Sequence, residues 1–154
     1  MTNNIIPKAF TIEYSEVVSE LETSLRISEA FDPAILKDVI HPPMYEFEAI
    51  WDTGATNSVI SANVIKKLGI EPTGKERVYH ANGMSIVDSY LVNVYLPNGV
   101  MFISLEVTEM LIDVDVLIGM DIISKGDFSI TASQGNTKFS FQIPSTHDID
   151  FDKK

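Results

Sequence analysis

Three short turns rich in asparagine and glycine constrain the fold of this chain more than any other feature. They are Asn82-Gly83, Asn98-Gly99 and Gln134-Gly135-Asn136, and apolar or alternating residues flank each of them. Such residues accept the positive φ angles that tight hairpin turns require. The turns therefore predict three antiparallel hairpins. Their strands are expected near Glu76–His80, Ser85–Leu96, Val100–Val107, Phe128–Thr131 and Lys138–Ile143.

Further strands are predicted on the N-terminal side of these hairpins. Apolar and polar residues alternate over Phe10–Tyr14 and, more strongly, over Leu21–Ser28, which is the pattern of a half-buried strand. For the second segment an amphipathic helix through Val17–Leu25 stays open as an alternative. Tyr45–Trp51 is predicted to be a third strand, with its apolar residues on one face.

Two short helices are predicted between the strands. Ser61 is a plausible N-cap, and Gly69 supplies the C-terminal stop of the first helix. The second helix is expected over Asp121–Lys125. Asp32-Pro33 is predicted to open a short helical turn that runs to Ile40. The fold class is therefore all-β with two short helices.

Composition excludes several kinds of site. Apolar residues make up 45% of the 154 residues, which suits one globular domain. The chain has no cysteine, and His41, His80 and His147 are far apart in the sequence, so we expect neither a disulfide nor a metal site. The excess of 22 acidic over 11 basic residues argues against nucleic acid as a partner. We see no membrane-spanning run and no secretory signal at Met1–Asn4, which predicts a cytoplasmic protein.

The stretch Ala49–Thr56 is where the sequence indicates chemistry. An apolar strand runs directly into Asp52, and Thr53-Gly54 forms a small turn before a helix. Rigid backbone holds an acid at such a position, and the glycine lets other backbone come close. Asp-Thr-Gly alone arises by chance in on the order of a few per cent of chains of this size. However, a second apolar strand with a glycine turn and a helix follows at Val116–Gly119.

Together these segments resemble the retropepsin-like aspartic proteases, the retroviral type and its bacterial relatives. The active-site stretch of that family reads apolar-Asp-Thr/Ser-Gly-Ala, which is similar to Ile50–Ala55. Its second signature, two apolar residues and a glycine before a helix, is similar to Leu117–Gly119. The resemblance implies a closed β-barrel of the acid protease fold in a single domain. Its expected parts are the domain 1–154, a core at about 45–143, an N-terminal extension at 1–40 with strands, and a loose tail at 145–154.

The resemblance also implies an aspartic endopeptidase that needs two chains. Carboxylates hydrolyse peptides as a pair that shares a proton, and this chain holds one Asp-Thr-Gly. Asp52 from each subunit of a homodimer would then form the dyad. A peptide or protein substrate would bind as an extended strand, without metal or cofactor. The implied site residues are Asp52, the loop residues Thr53, Gly54, Ala55 and Thr56, and the flap and substrate-binding residues Tyr79, His80, Asn82, Gly83, Met84, Ile118 and Gly119.

For several residues in or near these segments, a structural role explains the sequence as well as a functional role does, or better. Trp51 is expected to be a core aromatic residue. Ile118 and Val59 fit a core as well as they fit a substrate pocket. His80 fits a solvated strand end, and Asp121 is interpreted as a helix-capping acid rather than a catalyst.

Two other functions are weighed against proteolysis. Asp52–Ser58 also resembles the first phosphate loop of actin-like and heat-shock-chaperone ATPases, where backbone amides cradle phosphate. Against this, no second Asp-x-Gly-Gly loop follows in the chain. The other alternative is a catalytically silent relative that uses the same dimer for binding. The substitution Asp52→Asn separates this binding module from a peptidase, because a peptidase should lose cleavage whereas a binding module should keep its function.

Overall fold

The part of the chain that the structure describes contains ten β-strands and two α-helices. The structure is a computed structural model, and it describes residues 5–35 and 40–153. The strands are β1 (Lys8–Glu13), β2 (Glu22–Glu29), β3 (Tyr45–Trp51), β4 (Val59–Ile60), β5 (Gly74–His80), β6 (Gly83–Tyr95), β7 (Met101–Glu109), β8 (Val116–Ile118), β9 (Asp127–Thr131) and β10 (Lys138–Ile143). The helices are α1 (Ala62–Leu68) and α2 (Met120–Ile123). The prediction of an all-β fold with two short helices is confirmed.

Seven strands form one sheet whose pairings return to their starting strand. The order is β2-β3-β8-β4-β7-β6-β5, and β2 pairs with β6 as well as with β3. The long strand β6 makes this possible, because residues 92–95 pair with β2 while residues 83–89 pair with β5. At the other end of the order, β5 has β6 as its one neighbour among the described strands. Strand β5 and the first half of β6 are therefore a hairpin with a free outer edge.

A second sheet, in the order β1-β10-β9, packs against the end of β3 through aromatic rings. The indole ring of Trp51 lies 5.0 Å, between ring centroids, from Phe139 and from Phe141. Trp51 is 6% exposed, and its indole N–H donates to Thr23 Oγ1 at 2.9 Å. Trp51 is thus a core residue, as predicted. Its packing fixes the end of the strand from which Asp52 emerges.

Both helices lie close to their predicted positions. Ser61 occupies the N-cap of α1, and Gly69 follows α1 in the left-handed conformation, with φ at 67°. Helix α2 begins at Met120, directly after Gly119, and ends two residues before the predicted end. No helix in the described part of the chain is long and apolar enough to cross a membrane.

The three predicted hairpins are confirmed. Asn98 and Gly99 have φ angles of 56° and 75°, and Gln134 and Gly135 have φ angles of 64° and 81°. Glycine accepts these angles without strain, and asparagine tolerates them better than most residues. In the first hairpin His80 pairs with Gly83, so the loop lies one residue earlier than Asn82-Gly83 suggested.

The structure also decides the ambiguous N-terminal segment. Residues 22–29 form β2, with alternate residues buried in its first half, so the alternative helix through Val17–Leu25 is wrong. Of the turn predicted after Asp32, the start is present, since the N–H of Ala34 donates to Asp32 Oδ1 at 2.8 Å. The remainder of that turn falls on residues 36–39, which lie outside the described residues. The two-residue strand β4 was not predicted.

Candidate active site

Asp52 lies at the point where β3 leaves the sheet. Strand β3 runs parallel to β8, and the last pair in this register is Trp51 opposite Ile118. The ladder continues by one bond, because the Asp52 N–H donates to the Ile118 carbonyl oxygen at 2.9 Å. The backbone of Asp52 is therefore fixed, while its side chain is partly exposed.

The Asp-Thr-Gly turn itself holds one oxygen of the carboxylate. The Gly54 N–H donates to Asp52 Oδ1 at 2.7 Å, and the Ala55 N–H donates to the Asp52 carbonyl oxygen at 3.2 Å. Among the described residues, Asp52 Oδ2 has no hydrogen-bond partner. The carboxylate is thus oriented through one oxygen and open through the other, which is the arrangement that a reacting acid needs.

The second glycine turn docks directly onto the Asp52 loop. The Met120 N–H donates to the Ala55 carbonyl oxygen at 2.8 Å, and the Asp121 N–H donates to the Thr56 carbonyl oxygen at 3.1 Å. A Cβ atom on Gly119 would lie 2.7 Å from the carbonyl carbon and oxygen of Asn57. Glycine is therefore required at position 119 because two backbone segments meet there. The contact is closer at Gly119 than at Gly54. A Cβ atom on Gly54 would meet only the Asp52 carboxylate, at 3.1 Å.

Asp121 clamps the far end of the same loop. Its Oδ2 accepts the Ser58 N–H at 2.9 Å, and its Oδ1 accepts the Ser58 hydroxyl at 2.7 Å. Ser58 is 2% exposed, and its Oγ also accepts the Gly119 N–H at 3.0 Å. Asp121 was predicted to be a structural acid that caps a helix. It is structural, and it lies in the first turn of α2, but its main partner is the loop.

A cavity of about 410 Å³ opens beside Asp52. The Asp52 loop forms one wall and strand β5 forms another. The remaining walls come from β4, from β8, from the end of β7 and from the segment directly after β7. The lining residues are Asp52, Gly54, Ala55, Thr56, Asn57, Val59, Arg77, Val78, Tyr79, His80, Thr108, Met110, Ile112 and Leu117. The Asp52 loop, residues 77–80 of β5 and several apolar side chains thus meet around one cavity.

Six predicted site residues do not line this cavity: Thr53, the hairpin residues Asn82, Gly83 and Met84, and Ile118 and Gly119. Ile118 is completely buried in the core, and Gly119 is buried between the two loops. Leu117 lines the cavity instead, together with Val59, which pairs with it across β4 and β8. The reason is the alternation of side chains along a strand: residues 116 and 118 point into the core, so residue 117 points out. The burial pattern of this apolar run was not readable from its sequence.

The predicted flap divides into a wall and a tip. Tyr79 and His80 lie on β5 and line the cavity, and His80 Nε2 lies 2.9 Å from Ser85 Oγ. Asn82, Gly83 and Met84 form the exposed tip and lie outside the lining set. The tip therefore has few packing partners, whereas the wall is part of the cavity.

Tyr90 and Asp127, which do not line the cavity, have shifted pKa values. Burial, and then the neighbouring Glu109 carboxylate, raises the pKa of the Tyr90 phenol. Hydrogen bonds from Ser145, Thr146 and His147 hold the pKa of Asp127 well below its ordinary value of 3.8. Asp127 thereby ties the start of the C-terminal tail to β9. Among the described residues no group of three or more acidic or histidine side chains is placed to hold a metal ion.

Comparison with known proteins identifies the class to which this fold and site belong. A family model described as "gag-polyprotein putative aspartyl protease" matches residues 44–125, which is more than half of the chain. The chain belongs to this family, the retropepsin-like aspartic proteases. Membership decides against the phosphate-loop ATPase alternative. No curated protein matches the sequence.

Two solved structures match this chain, one from a bacterium and one from a virus. A retropepsin-like aspartic protease from Rickettsia conorii is 14% identical, with a TM-score of 0.53, over 89% of this chain and 95% of that protein. The simian foamy virus (mac) protease is 16% identical, with a TM-score of 0.44, over 68% of this chain and 92% of that protein. At this identity the bacterial structure supports the fold alone.

Proposed function

We propose that the protein is an aspartic endopeptidase and that Asp52 from each subunit of a homodimer forms the catalytic dyad. The observation that carries the proposal is a single acid, Asp52, in the lining of the cavity, with one carboxylate oxygen bound by Gly54 and the other open. Peptide hydrolysis by carboxylates needs a second acid within hydrogen-bond reach. Since the described lining offers none, a second copy of the chain is the simplest source.

The chemistry follows from two carboxyl groups that share one proton. The ionised Asp52 takes a proton from a water molecule, whose oxygen attacks the carbonyl carbon of the scissile peptide. The protonated Asp52 of the other subunit gives its proton to the carbonyl oxygen. When the tetrahedral intermediate collapses, the C–N bond breaks and the amine leaves with the proton that the first Asp52 took from water. A hydroxyl group of the intermediate returns its proton to the second Asp52 as the new carboxyl group forms. One water is consumed and the acids return to their starting state.

Each residue of the Asp52 loop has a proposed part in this dyad. The Gly54 N–H fixes the direction of the carboxylate. Thr53 is exposed beside Asp52, which supports a contact between its hydroxyl and the loop of the second subunit. Ala55 and Thr56 present their carbonyl oxygens to the second glycine turn and so hold the loop in place. The clamp from Asp121 to Ser58 secures its other end.

The free edge of β5 is the proposed site of the substrate backbone. Residues 77–80 are consecutive and all line the cavity, although alternate side chains of a strand point to opposite faces. An arrangement of this kind supports a cavity that runs along the strand edge. An extended peptide placed there would add one strand to the hairpin through main-chain hydrogen bonds. Its side chains would alternate between the two sides of β5.

Two measurements on the wild type and on Asp52→Asn test the proposal. Sedimentation should show a dimer for both proteins, and a peptide library should be cleaved by the wild type alone. The substitution is nearly isosteric, so folding should be preserved, while the charge needed by the general base is lost. Cleavage by purified Asp52→Asn would place the catalytic acid elsewhere. A stable dimer that binds peptides but cleaves none would favour the silent binding module.

The predicted cytoplasmic location is also a proposal. Cell fractionation tests it, and recovery of the protein with secreted or membrane fractions would contradict it.

A further inference from the structure

The edge of β5 carries an unpaired positive charge beside the cavity. Arg77 lines the cavity, and its guanidinium has no carboxylate partner among the described residues. Lys75, two residues earlier on the same strand, is paired with Asp88 at 2.6 Å and lies outside the lining set. Asp88, the acid on the neighbouring strand, is therefore already paired with Lys75, and Arg77 is left available for another ligand. This is notable in a chain with 22 acidic and 11 basic residues.

The strand register shows which side chains share a side with Arg77. Across the hairpin Arg77 is opposite Ile86 and Tyr79 is opposite Met84, so these four lie on one face. Tyr79, Met84 and Ile86 are 76%, 49% and 62% exposed. Among the described residues, this face of the hairpin thus combines one unpaired cation with exposed apolar surface.

His80 does not offer the same chemistry. It lies on the opposite face of the strand, one residue from Tyr79, and its imidazole is within hydrogen-bond distance of the Ser85 hydroxyl. Arg77 is always charged, and its planar guanidinium matches a carboxylate through two parallel hydrogen bonds. A carboxylate ligand is therefore better matched to Arg77.

We propose that Arg77 binds an acidic side chain of a peptide that extends the β5 edge. The site would then select substrates with Asp or Glu opposite Arg77 and an apolar residue two positions away, opposite Tyr79. Side chains directly opposite on adjacent strands lie about 4.5–5.5 Å apart at Cβ, so they reach one another on the same face. This inference rests on the proposed function, because it assumes that a peptide lies along β5.

A charge-swap experiment tests the assignment. One cleaved peptide is taken as the parent, and each position is replaced in turn by Glu, Gln or Lys. At one position the wild type should prefer Glu to Gln in kcat/KM by about twofold to fivefold, the range for a partly exposed ion pair. Arg77→Gln should remove the preference, and Arg77→Glu should reverse it in favour of Lys. Lys66→Gln is the control: it removes one positive charge from an exposed residue of α1 outside the cavity lining and should leave the preference unchanged.

A binding measurement separates failure of this inference from failure of the proposed function. The Glu and Gln forms of a labelled peptide are titrated onto Asp52→Asn and onto Asp52→Asn with Arg77→Gln. The inference predicts tighter binding of the Glu form, lost on adding salt and lost with Arg77→Gln. If the wild type cleaves nothing but this preference is found, the proposed function fails and the Arg77 assignment stands. If neither cleavage nor binding depends on the charge of the peptide at any position, the assignment is overturned.

Discussion

At the scale of single residues, the contact between the two glycine turns depends on Gly119. A Cβ there would meet backbone atoms of Asn57 at 2.7 Å and the Ala55 carbonyl oxygen at 2.9 Å. Backbone cannot move aside as the end of a side chain can. We expect Gly119→Ala to lower the free energy of unfolding by about 1–3 kcal/mol, the usual cost of overpacking. Denaturant titration measures this.

Gly54→Ala is the comparison for that prediction. Its Cβ would meet only a carboxylate oxygen of Asp52, at 3.1 Å. We therefore expect a smaller loss of stability. An equal loss in both variants would contradict the view that backbone contact at Gly119 is special.

The carboxylate of Asp121 gives a second prediction at this scale. Asp121→Asn removes one of the two acceptor oxygens that bind Ser58 and leaves a buried N–H or hydroxyl of Ser58 without its partner. Such a group costs about 1–3 kcal/mol, so the midpoint of denaturant unfolding should fall. Asp113→Asn makes the same change of charge at an exposed residue and serves as the control. Equal midpoints for the two variants would show that the clamp contributes nothing.

At the scale of elements, the hairpin of β5 and β6 should be the least protected part of the sheet. Residues 83–88 of β6 pair with β5 alone, whereas residues 92, 94 and 95 pair with both β2 and β7. Segments with few buried contacts open most readily. Hydrogen exchange should therefore be faster in residues 77–86 than in residues 92–95, and a bound peptide should slow it. Uniform protection along β6 would argue against a flap.

The start of the C-terminal tail should respond to acid. Asp127 accepts hydrogen bonds from the N–H groups of Thr146 and His147 at 2.9 and 3.0 Å, and from the Ser145 hydroxyl. These bonds lower its pKa, so the stability they add is complete above the ordinary value of 3.8 and is lost as the pH falls below it. Amide shifts of residues 146 and 147 should stay nearly constant as the pH falls from 5 to 3.8 and should move only in more strongly acidic solution.

The matched variant for this prediction is Asp127→Asn. It should show the released shifts of residues 146 and 147 at every pH, because the carboxylate is absent. A wild-type midpoint at or above pH 3.8 would contradict the assignment of these bonds.

The sequence predicted elements better than it predicted which way their side chains point. Turn chemistry located the hairpins at Asn82, Asn98 and Gln134, and the strand over residues 45–51 was correct to the residue. Strand β4 has only two residues, too few to show a period. In β8 all three residues are apolar, so nothing in the sequence separated Leu117, which lines the cavity, from Ile118, which is in the core.

Parts of the site that depend on distant residues were also beyond the sequence. The Asp-Thr-Gly turn could be read as a local motif. The bonds between Asp121 and Ser58 join positions 63 residues apart. The availability of Arg77 depends on a cross-strand pair between Lys75 and Asp88. Both depend on how distant parts of the chain come together, which only the folded structure supplies.

At the scale of the whole molecule, the proposal is that one chain presents one half of a site. The closed run of strand pairings from β2 to β6 supports the Asp52 loop from one side, and the aromatic contacts of Trp51 with the β1-β10-β9 sheet support it from the other. The described contacts of the loop leave one oxygen of the Asp52 carboxylate without a hydrogen-bond partner. The central claim is that a second Asp52 completes the site.

Mixing wild-type and Asp52→Asn chains tests this claim most directly. The two are refolded together at fixed total concentration, well above the dimer dissociation constant, and cleavage of one peptide is followed as the wild-type fraction falls. If a working dyad needs Asp52 from both subunits, activity will fall as the square of the wild-type fraction. Activity that falls in direct proportion to that fraction would mean that one Asp52 suffices, and would contradict the dyad.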